Sequence, residues 1–469
     1  MLIETNIEVN LRSIEEFTRV MVSELLEDKI NFEILKENDL IKIKVKSEKL
    51  NKNTEFSYID LGNKIEDQIL TMCKISLLKL LDKKYDWGSL MGVRPTKVLR
   101  RLLINGCDYK EARKILKDFY LVTDEKINLM ETVVKKELDL LDKEHINLYI
   151  GIPFCPTKCK YCSFASYEIN GGVGRFYNDF VEALLKEIQI VGDFLKTYSK
   201  KVSSIYFGGG TPSTLTEEDL EKVLKKLLEN IDMTDVKEFT FEAGREDSLN
   251  IKKLEIMKKY SVDRISLNPQ SFNLETLKRV NRRFNRENFD LIFKEAKKLE
   301  FIINMDLIIG LPEETTEEIL ETLSQLKDYD IDNLTIHCLA FKRASKLFKE
   351  SQERNVINRA LIEEHIEKIV EEKAMKPYYM YRQKNIIEWG ENIGYSKEGK
   401  ESIFNIEMIE ENQNTMALGG GGISKIVIEE RNGIDYIERY VNPKDPALYI
   451  RELDKRCKEK IEMFKKEKI

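Results

Sequence analysis

Short apolar runs alternate with charged amphipathic segments through the middle of the chain. From about Asn147, the apolar runs in chain order are LYIGI, SIYFGGG, EFTFEAG, DRISLNPQS, INMDLIIGL and NLTIHCLA. Segments of helical period separate them, among them 176–195, 216–230 and 315–327. Such runs are typical of buried strands, and a helix after each strand makes successive strands parallel. These six units predict an α/β fold, a partial (β/α)6 barrel that is open on one side, because a closed barrel of this type has eight units.

The segments on either side of the predicted barrel have a different pattern. Before it, the alternating runs LIETNIEVN and LIKIKVKS accompany helical segments at 13–26 and 64–81, which predicts an α+β domain with a small antiparallel sheet. After it come a helical segment at 359–373, the stretch KPYYMYRQKN, the glycine run LGGGG and a charged helical tail. We expect three domains: an N-terminal α+β domain at 1–145, the barrel at 146–350, and a smaller C-terminal domain at 351–469 that covers the open side.

Composition and charge limit the functional classes. Of 469 residues, 42% are hydrophobic and 34% are charged, and 77 Lys and Arg against 83 Asp and Glu give a net charge of -6. This balance lacks the basic bias of a nucleic-acid-binding domain. No apolar run approaches the ~18–20 residues of a membrane-spanning helix, and the start MLIETNIEVN lacks the pattern of a secretion signal. We expect a cytoplasmic protein whose oligomeric state is open, a monomer being one candidate.

Three of the seven cysteines lie close together, in the segment YIGIPFCPTKCKYCSF at 149–164. Cys155, Cys159 and Cys162 have C-x3-C-x2-C spacing, directly after the first predicted barrel strand. Three thiolates can bind three irons of a four-iron cluster and leave the fourth iron open, as catalytic metal sites leave one position open. The alternative is a structural zinc site, which needs a fourth ligand in a chain with only three histidines.

Polar residues also follow the other predicted barrel strands. The second strand ends in Gly209, Gly210 and Thr211, and the third carries Glu242 in an apolar run. The fourth run leads to Gln270, with Arg282 twelve residues later, and the fifth contains Asp306. Because the carboxyl ends of parallel strands meet at one end of a barrel, these side chains predict a ligand site next to the cysteines.

The cysteine spacing and the strand-end motifs together resemble the radical S-adenosylmethionine (SAM) superfamily. The whole chain, including WGSLMGVRPTK, YYMYRQKN, ENIGY and ALGGGGISK, is similar to the oxygen-independent coproporphyrinogen III oxidase (coproporphyrinogen dehydrogenase) family, and within it to the second dehydrogenase-type group of Gram-positive bacteria. The resemblance implies that Cys155, Cys159 and Cys162 bind a [4Fe-4S] cluster whose open iron binds SAM. It further implies SAM contacts from Tyr149, Tyr161, Gly209, Gly210, Thr211, Glu242, Gln270, Arg282, Asp306 and Ala340.

The resemblance also implies a reaction. In this family, two propionates of coproporphyrinogen III undergo oxidative decarboxylation to give protoporphyrinogen IX in anaerobic heme biosynthesis, with electrons from a partner such as flavodoxin or ferredoxin. An anionic tetrapyrrole needs cations such as Arg382 or Arg94 and aromatic faces such as Tyr379 and Tyr381. YYMYRQKN is equally compatible with a strand whose tyrosines pack in a core, and LGGGG with a plain turn. Two alternatives remain open: a heme-binding chaperone, and a radical SAM enzyme that acts on heme.

The chain departs from the best-known bacterial oxidase at two positions near the cysteines. Gly151 stands where that oxidase has a histidine, and Phe164 stands where it has a further cysteine. Neither change removes a predicted cluster ligand, but both remove side chains that could handle protons there.

Overall fold

A computed structural model describes residues 2–6, 8–61, 65–90, 92, 94–340, 342, 345–347, 356–383, 391–429 and 435–466 of the chain. The chain divides into two compact units, Met1–Val134 and Lys135–Ile469. No helix within these described ranges is both long enough and apolar enough to cross a membrane.

The first unit is the predicted α+β region. Its strands and helices, in chain order, are β1 (Leu2–Thr5), α1 (Leu11–Met21), β2 (Lys29–Glu37), β3 (Leu40–Ser47), β4 (Lys52–Ile59), α2 (Ile65–Leu80), α3 (Thr96–Ile104), α4 (Tyr109–Lys114) and α5 (Asp124–Leu140), which continues into the second unit. The strands pair in the order β1-β2-β3-β4. The pairs β2–β3 and β3–β4 are antiparallel, as predicted, but β1 and β2 are parallel. The prediction of a wholly antiparallel sheet was wrong because α1 connects β1 to β2 and returns the chain to the same end of the sheet.

Alternating side chains form the core of the first unit. Ile41, Ile43 and Val45 of β3 point to one face and are buried against Met72 and Cys73 of α2. The two-residue period of the strand therefore builds the core that it predicts. Met91 and Val93 of the motif WGSLMGVRPTK lie outside the described residues.

The second unit contains the predicted barrel. Its strands up to residue 340 are β5 (Ile146–Ile152), β6 (Phe154–Cys155), β7 (Tyr167–Glu168), β8 (Val202–Gly209), β9 (Glu238–Phe241), β10 (Arg264–Ser266), β11 (Ile302–Ile309) and β12 (Asn333–Cys338). The intervening helices are α6 (Tyr177–Thr197), α7 (Glu217–Asn230), α8 (Ile251–Lys259), α9 (Leu274–Arg279), α10 (Arg286–Lys298) and α11 (Thr316–Gln325). Strands β5, β8, β9, β10, β11 and β12 pair in that order and are all parallel. The predicted partial (β/α)6 barrel is confirmed.

Strands from the C-terminal part of the chain continue the barrel sheet at both edges. These elements are α12 (Arg359–Glu372), β13 (Lys376–Tyr381), β14 (Asn392–Ser396), α13 (Ile403–Glu410), β15 (Thr415–Gly419), β16 (Ile423–Glu429), β17 (Asp435–Val441) and α14 (Pro446–Lys465). β14 pairs antiparallel with β12, whereas β15 pairs parallel with β5. The three-domain division stays a prediction, and its boundary at 350/351 lies outside the described residues.

A buried ion pair connects α6 with the C-terminal helix α14. The Lys460 ammonium lies 2.6 Å from a Glu187 carboxylate oxygen, and both side chains are 0% exposed. Lys460 also donates to the Ala417 carbonyl of β15 at 2.6 Å. Tyr449 of α14 and the Gly419 amide donate to the same carboxylate at 2.6 and 2.7 Å. Since each charge has a partner, this pair links the first barrel helix to the last helix and to the end of β15.

Candidate active site

A cavity of about 660 Å³ lies at the carboxyl ends of the barrel strands in the second unit. The residues that line it include every residue that the sequence assigned to the cluster or to SAM: Tyr149, Cys155, Cys159, Tyr161, Cys162, Gly209, Gly210, Thr211, Glu242, Gln270, Arg282, Asp306 and Ala340. Their individual roles stay predictions.

The barrel strands turn alternate side chains into this cavity. Thr240 and Glu242 line it from β9 and the residue after it, and Asn304 and Asp306 line it from β11. The intervening Phe241 and Met305 are buried in the surrounding core. The two-residue period of a strand thus places polar side chains inward at successive positions, which explains carboxylates in otherwise apolar runs.

Each of the three cysteines has a polar neighbour. The Thr211 hydroxyl donates to the Cys155 sulfur at 3.2 Å, and an Arg245 guanidinium nitrogen lies 3.9 Å from the Cys159 sulfur. The Cys162 sulfur lies 4.0 Å from the Ser166 hydroxyl. Burial raises the pKa of the Cys155 thiol to about 11, so a bound cation is needed to hold this group as a thiolate at neutral pH.

The three cysteines are compatible with a four-iron cluster. Within the described part of the chain, no three His, Cys, Asp or Glu side chains come close enough together to bind one metal ion. A four-iron cluster binds each cysteine at a different iron, so its thiolates stand further apart than the ligands of a single zinc ion. Three cysteines on one loop, all facing the same cavity, could hold such a cluster with one iron open to a ligand.

The glycine turn after β8 packs directly on the strand that carries the cysteine loop. Gly209 has a φ of +106°, and a side chain at Gly210 would place its Cβ 2.6 Å from the Phe154 carbonyl. The amides of Gly210 and Thr211 donate to the carbonyls of Ile152 and Phe154 at 2.7 and 2.8 Å. With these amides engaged, the turn offers carbonyl oxygens to a ligand, which suits a donor such as an amino group.

Glu242 is held in its orientation by a tyrosine. The Tyr206 hydroxyl donates to a Glu242 carboxylate oxygen at 2.6 Å. Burial and the nearby Asp306 charge raise the pKa of Glu242 to about 7, although the Tyr206 hydrogen bond opposes this rise. Glu242 therefore changes between a hydrogen-bond donor and an acceptor near neutral pH.

Asp306 lies in a network that keeps it ionised. Asn268 and Asn304 donate amide hydrogens to its two carboxylate oxygens, each at 2.9 Å. Burial alone would raise the pKa of Asp306, but His337, with Asn304 and Thr335, holds that pKa below its ordinary value. The Nδ1 atom of His337 lies 3.2 Å from the Tyr381 hydroxyl, so the network extends to β13. An ionised carboxylate at this point could accept hydrogen bonds from ligand hydroxyl groups.

Gln270 and Arg282 both carry signs of a ligand contact. Gln270 has a φ of +66° and faces the cavity, and its buried side-chain oxygen has no hydrogen-bond partner in the described structure. Arg282 is buried and donates to the Gly244 carbonyl at 2.8 Å and to the Asn268 carbonyl, yet its Nε has no partner among the described residues. A left-handed backbone and unpaired buried polar atoms are costly, so a bound ligand would supply the missing hydrogen bonds.

Three aromatic rings also line the cavity. Tyr149, Tyr206 and Phe404 are parallel to within 18°, with the Tyr206 and Phe404 ring centroids 4.3 Å apart. Phe404 belongs to α13, which begins with two hydrogen bonds to Glu238: from the Ser402 hydroxyl at 2.8 Å and from the Ile403 amide at 2.6 Å. A carboxylate at a helix N-terminus is favourable, so Glu238 fixes α13 against the barrel.

The structure shows where the motifs YYMYRQKN and LGGGG lie, for which the sequence left two interpretations open. In YYMYRQKN, Tyr378 and Tyr379 belong to one small core, against which Tyr381 packs, and Tyr379 and Tyr381 also line the cavity. Lys384 and Asn385 lie outside the described residues. LGGGG makes a tight turn after β15, in which the Gly420 amide donates to the Gly151 carbonyl at 2.9 Å. A Cβ at Gly151 would lie 2.7 Å from the Gly420 carbonyl. This close approach leaves no room for the histidine that the best-known oxidase has at this position.

Sequence reasoning missed several residues that line the cavity: Arg245, Arg264, Asn268, His337, Lys342 and Phe404. Asn268 and His337 could have been found, because each follows or ends a barrel strand and is polar. Arg264 begins β10 and donates to the carbonyls of Lys400 and Glu401, both at 2.9 Å. No local pattern predicts that contact, since it joins distant parts of the chain. Arg382, which the sequence suggested as a ligand for carboxylates, is not among the described residues that line the cavity.

The fold and the site together define a radical SAM protein. Residues 149–326 match the radical SAM superfamily, whose members use a [4Fe-4S] cluster and SAM, and these are the cofactors of this chain. The chain is 40% identical over 385 residues to the oxygen-independent coproporphyrinogen-III oxidase-like protein HemZ of Bacillus subtilis, which covers 80% of this chain and 76% of that relative. It belongs to the family of oxygen-independent coproporphyrinogen-III oxidase-like proteins, as the sequence predicted.

Two further similarities are more distant. The chain is 28% identical over 236 residues to the heme chaperone HemW of Buchnera aphidicola, which covers 50% of this chain and 61% of that relative. The structure of coproporphyrinogen III oxidase (HemN) from Escherichia coli matches with a TM-score of 0.53 at 19% identity, over 69% of this chain and 73% of the other. At that identity the match supports the fold alone.

Proposed function

We propose that this protein oxidatively decarboxylates two propionate side chains of coproporphyrinogen III to give protoporphyrinogen IX. The observation that carries the proposal is that one cavity joins the cysteine loop to a wall made of Tyr379, Tyr381 and Lys342. A volume of about 660 Å³ is within the range of binding cavities for cofactors and substrates. The 40% identity to a coproporphyrinogen-III oxidase-like protein supports the same substrate class.

In this proposal, Cys155, Cys159 and Cys162 hold the [4Fe-4S] cluster. When bound, the cluster and SAM would supply radical chemistry, the removal of a hydrogen atom from the propionate carbon β to the carboxylate; loss of carbon dioxide and of one electron to an acceptor would then leave a vinyl group. The protein's own contribution is positioning and the exclusion of water. The carbonyls of Gly209 and Gly210 accept hydrogen bonds from the SAM amino group, together with Thr211.

The other predicted residues orient the rest of SAM. Glu242, Gln270, Arg282 and Asp306 contact its methionine and ribose parts, and the unpaired polar atoms of Gln270 and Arg282 support this assignment. Tyr149, Tyr161 and Ala340 lie nearer the cluster and the adenine. Single mutations test each of these contacts.

The substrate's carboxylates need a cation that is not already engaged. Arg245 and Arg264 in the cavity wall donate to protein carbonyls, as does Arg282. For the Lys342 ammonium, no hydrogen bond or ion pair is found with the residues that the structure describes, and it lines the cavity. We therefore assign Lys342 to a substrate propionate, with Tyr379 and Tyr381 beside the macrocycle. Reduced flavodoxin or ferredoxin is the proposed electron donor.

The test is an anaerobic assay with the reconstituted protein, SAM, a reductant and coproporphyrinogen III. Liquid chromatography with mass detection follows 5'-deoxyadenosine and the tetrapyrrole together. Loss of two carboxyl groups in step with 5'-deoxyadenosine would support the proposal. The variant Cys159→Ala should give neither product, whereas Cys107→Ala, which changes a cysteine far from this loop in sequence, should behave as wild type. Deoxyadenosine without a decarboxylated product would refute the substrate assignment.

Similarity to HemW supports a second candidate, a heme-binding chaperone. Tight heme binding, with no tetrapyrrole-dependent formation of 5'-deoxyadenosine, would favour it. A radical SAM enzyme that opens the heme ring would instead change the mass of added heme, so the same chromatography separates all three functions.

A further inference from the structure

A charged side chain from the segment after β9 holds the cysteine loop. Arg245 lies on the loop after β9, and its side chain is only 4% exposed. Its Nη1 atom donates to the Thr157 carbonyl at 3.1 Å and to the Thr157 hydroxyl at 2.9 Å. The same nitrogen lies 3.9 Å from the Cys159 sulfur. The guanidinium thus contacts both the backbone of the cysteine loop and one of its three thiols.

The other side of the Arg245 guanidinium is fixed by a carboxylate. Nε and Nη2 donate to the two oxygens of Asp247 at 2.9 and 2.5 Å. This paired geometry is specific to arginine, because lysine has no planar fork of donors. Asp247 is 23% exposed, so it stands closer to solvent than the guanidinium it holds. The arginine therefore cannot rotate away from the loop without losing four hydrogen bonds at once.

The neighbours of the other two cysteines are different in kind. Cys155 and Cys162 each have a neutral hydroxyl partner, from Thr211 and Ser166. Among these three cysteines, the described structure shows a hydrogen-bonding contact with a charged group at Cys159 alone, where Arg245 lies beside the sulfur and Arg282 is a second nearby cation. Arginine keeps its charge at all physiological pH values, and a charge acts strongly where water is excluded.

We propose that Arg245 is a positioning residue that orders the cysteine loop for cluster binding and raises the reduction potential of the cluster. The inference rests on the proposed cluster site but not on the proposed substrate. Reduction adds negative charge to a cluster and its thiolates, and a fixed cation beside one sulfur stabilises the reduced state. Asp247 acts in the opposite direction through its charge while it supports the arginine through its hydrogen bonds.

The opposite signs of these two charges give the test. In Arg245→Gln the cation is lost, so the midpoint potential should become more negative. In Asp247→Asn the anion is lost while an amide oxygen can still accept from the guanidinium, so the potential should become less negative. In Arg245→Lys the charge remains without the fork, so the potential should stay nearer wild type than that of the glutamine variant. If Arg245 only held the loop in place, all three variants would disorder it and shift the potential in the same direction.

The measurement uses the full-length protein, reconstituted anaerobically with iron and sulfide, without SAM or substrate. We record iron and sulfide per chain and the resistance of the cluster to a chelator. We also record the midpoint potential, from a redox titration followed by electron paramagnetic resonance. We expect Arg245→Gln to lose iron to the chelator about tenfold faster than wild type, the usual scale for removing a group that supports a metal ligand. Arg286→Gln is the matched control, because Arg286 also pairs with an aspartate, Asp290, at 3.0 Å but does not line the cavity.

Potentials and iron retention equal to those of Arg286→Gln would overturn the inference, as would shifts of the same sign in Arg245→Gln and Asp247→Asn. If Arg245→Gln fails to bind a cluster at all, the loop-ordering part is supported, and the direction of the shift in Asp247→Asn decides the electrostatic part. Since no tetrapyrrole is added, a wrong substrate assignment leaves these results unaffected, and only the absence of any cluster in wild type would defeat both proposals.

Discussion

Removing the Lys460 ammonium should loosen the C-terminal helix from the barrel. In Lys460→Met, a side chain of similar length leaves the Glu187 carboxylate in a fully buried position without its counter-ion, 2.6 Å away in wild type. Breaking a buried ion pair on one side costs about 3–5 kcal/mol. The remaining donors to Glu187 are the Tyr449 hydroxyl, the Gly419 amide and the Asn442 side chain. Because these donors still stabilise the carboxylate, we expect the lower end, about 3 kcal/mol.

The assay must report on α14 itself, since a chain with two compact units does not unfold in one step. Amide hydrogen exchange with mass detection measures local opening of this helix. A loss of about 3 kcal/mol corresponds to exchange roughly 150-fold faster, at 1.36 kcal/mol per factor of ten. The double variant Glu187→Gln/Lys460→Met removes both charges and should recover about half of the loss.

Lys455→Met on the same helix is the matched control. Lys455 is 68% exposed and lies 3.9 Å from Glu459, so its ion pair is weak and the change should leave exchange within about threefold of wild type. Equal exchange of α14 in the Lys455 and Lys460 variants would refute the reasoning, because it would mean that the buried pair does not hold the helix.

Three other changes test the site and its surroundings. The pKa of Glu242 is raised to about 7, so its carboxylate form predominates above that pH. The affinity for SAM, measured anaerobically by calorimetry, should therefore rise about tenfold from pH 6 to 8. Glu242→Gln should remove this part of the pH dependence. Because folding raises the pKa of Glu242, this residue stabilises the free protein at pH values below its unfolded pKa. That stabilisation is lost as the pH rises through about 7. Lys342→Gln should weaken coproporphyrinogen binding about tenfold without changing the affinity for SAM, and Lys346→Gln should change neither. Gly419→Ala places a Cβ 2.2 Å from the Gly151 carbonyl at a φ of +77°, so amide hydrogen exchange of β15 should become much faster than in Gly399→Ala, where φ is +72° but no atom lies within 4 Å.

The regular elements could be predicted because their causes are local. The predicted helix at 315–327 is Thr316–Gln325 in the structure, and Thr315 with Glu318 forms a capping box at its start. The predicted helix at 216–230 is Glu217–Asn230 and begins with Thr216 as its N-cap. The amphipathic period and the capping residues of a helix involve residues that are close together in the chain, so both can be recognised from the sequence.

Pairing between distant segments could not be predicted in the same way. The direction of β1 relative to β2 depends on how α1 packs, and the attachment of β14 and β15 to opposite edges of the barrel sheet depends on long-range contacts. Alternating polarity says that a strand has a buried face, but it does not name the partner strand.

The site residues also fall into two groups, those that local sequence predicts and those that only long-range contacts bring to the site. Glu242 and Asp306 stood out because a carboxylate in an apolar strand needs a reason, and the three cysteines because of their spacing. Arg245 reaches the cysteine loop across 88 positions of sequence, and Phe404 reaches Tyr206 from a helix near the other end of the chain. Such contacts exist only in the folded protein, so the residues of the cavity wall had to be found in the structure.

The pairing of β5 with β15 has a consequence for biosynthesis. Asn147 of the strand that leads to the cysteine loop pairs with Thr415. During synthesis from the N-terminus, the ribosome must release most of the chain before this edge of the sheet finds its neighbour. Until then, the strand that presents the cysteines has an open edge, which is a risk for misassembly with other chains. We therefore expect cluster insertion to follow completion of the chain, and truncations before residue 415 to accumulate as aggregated protein without iron.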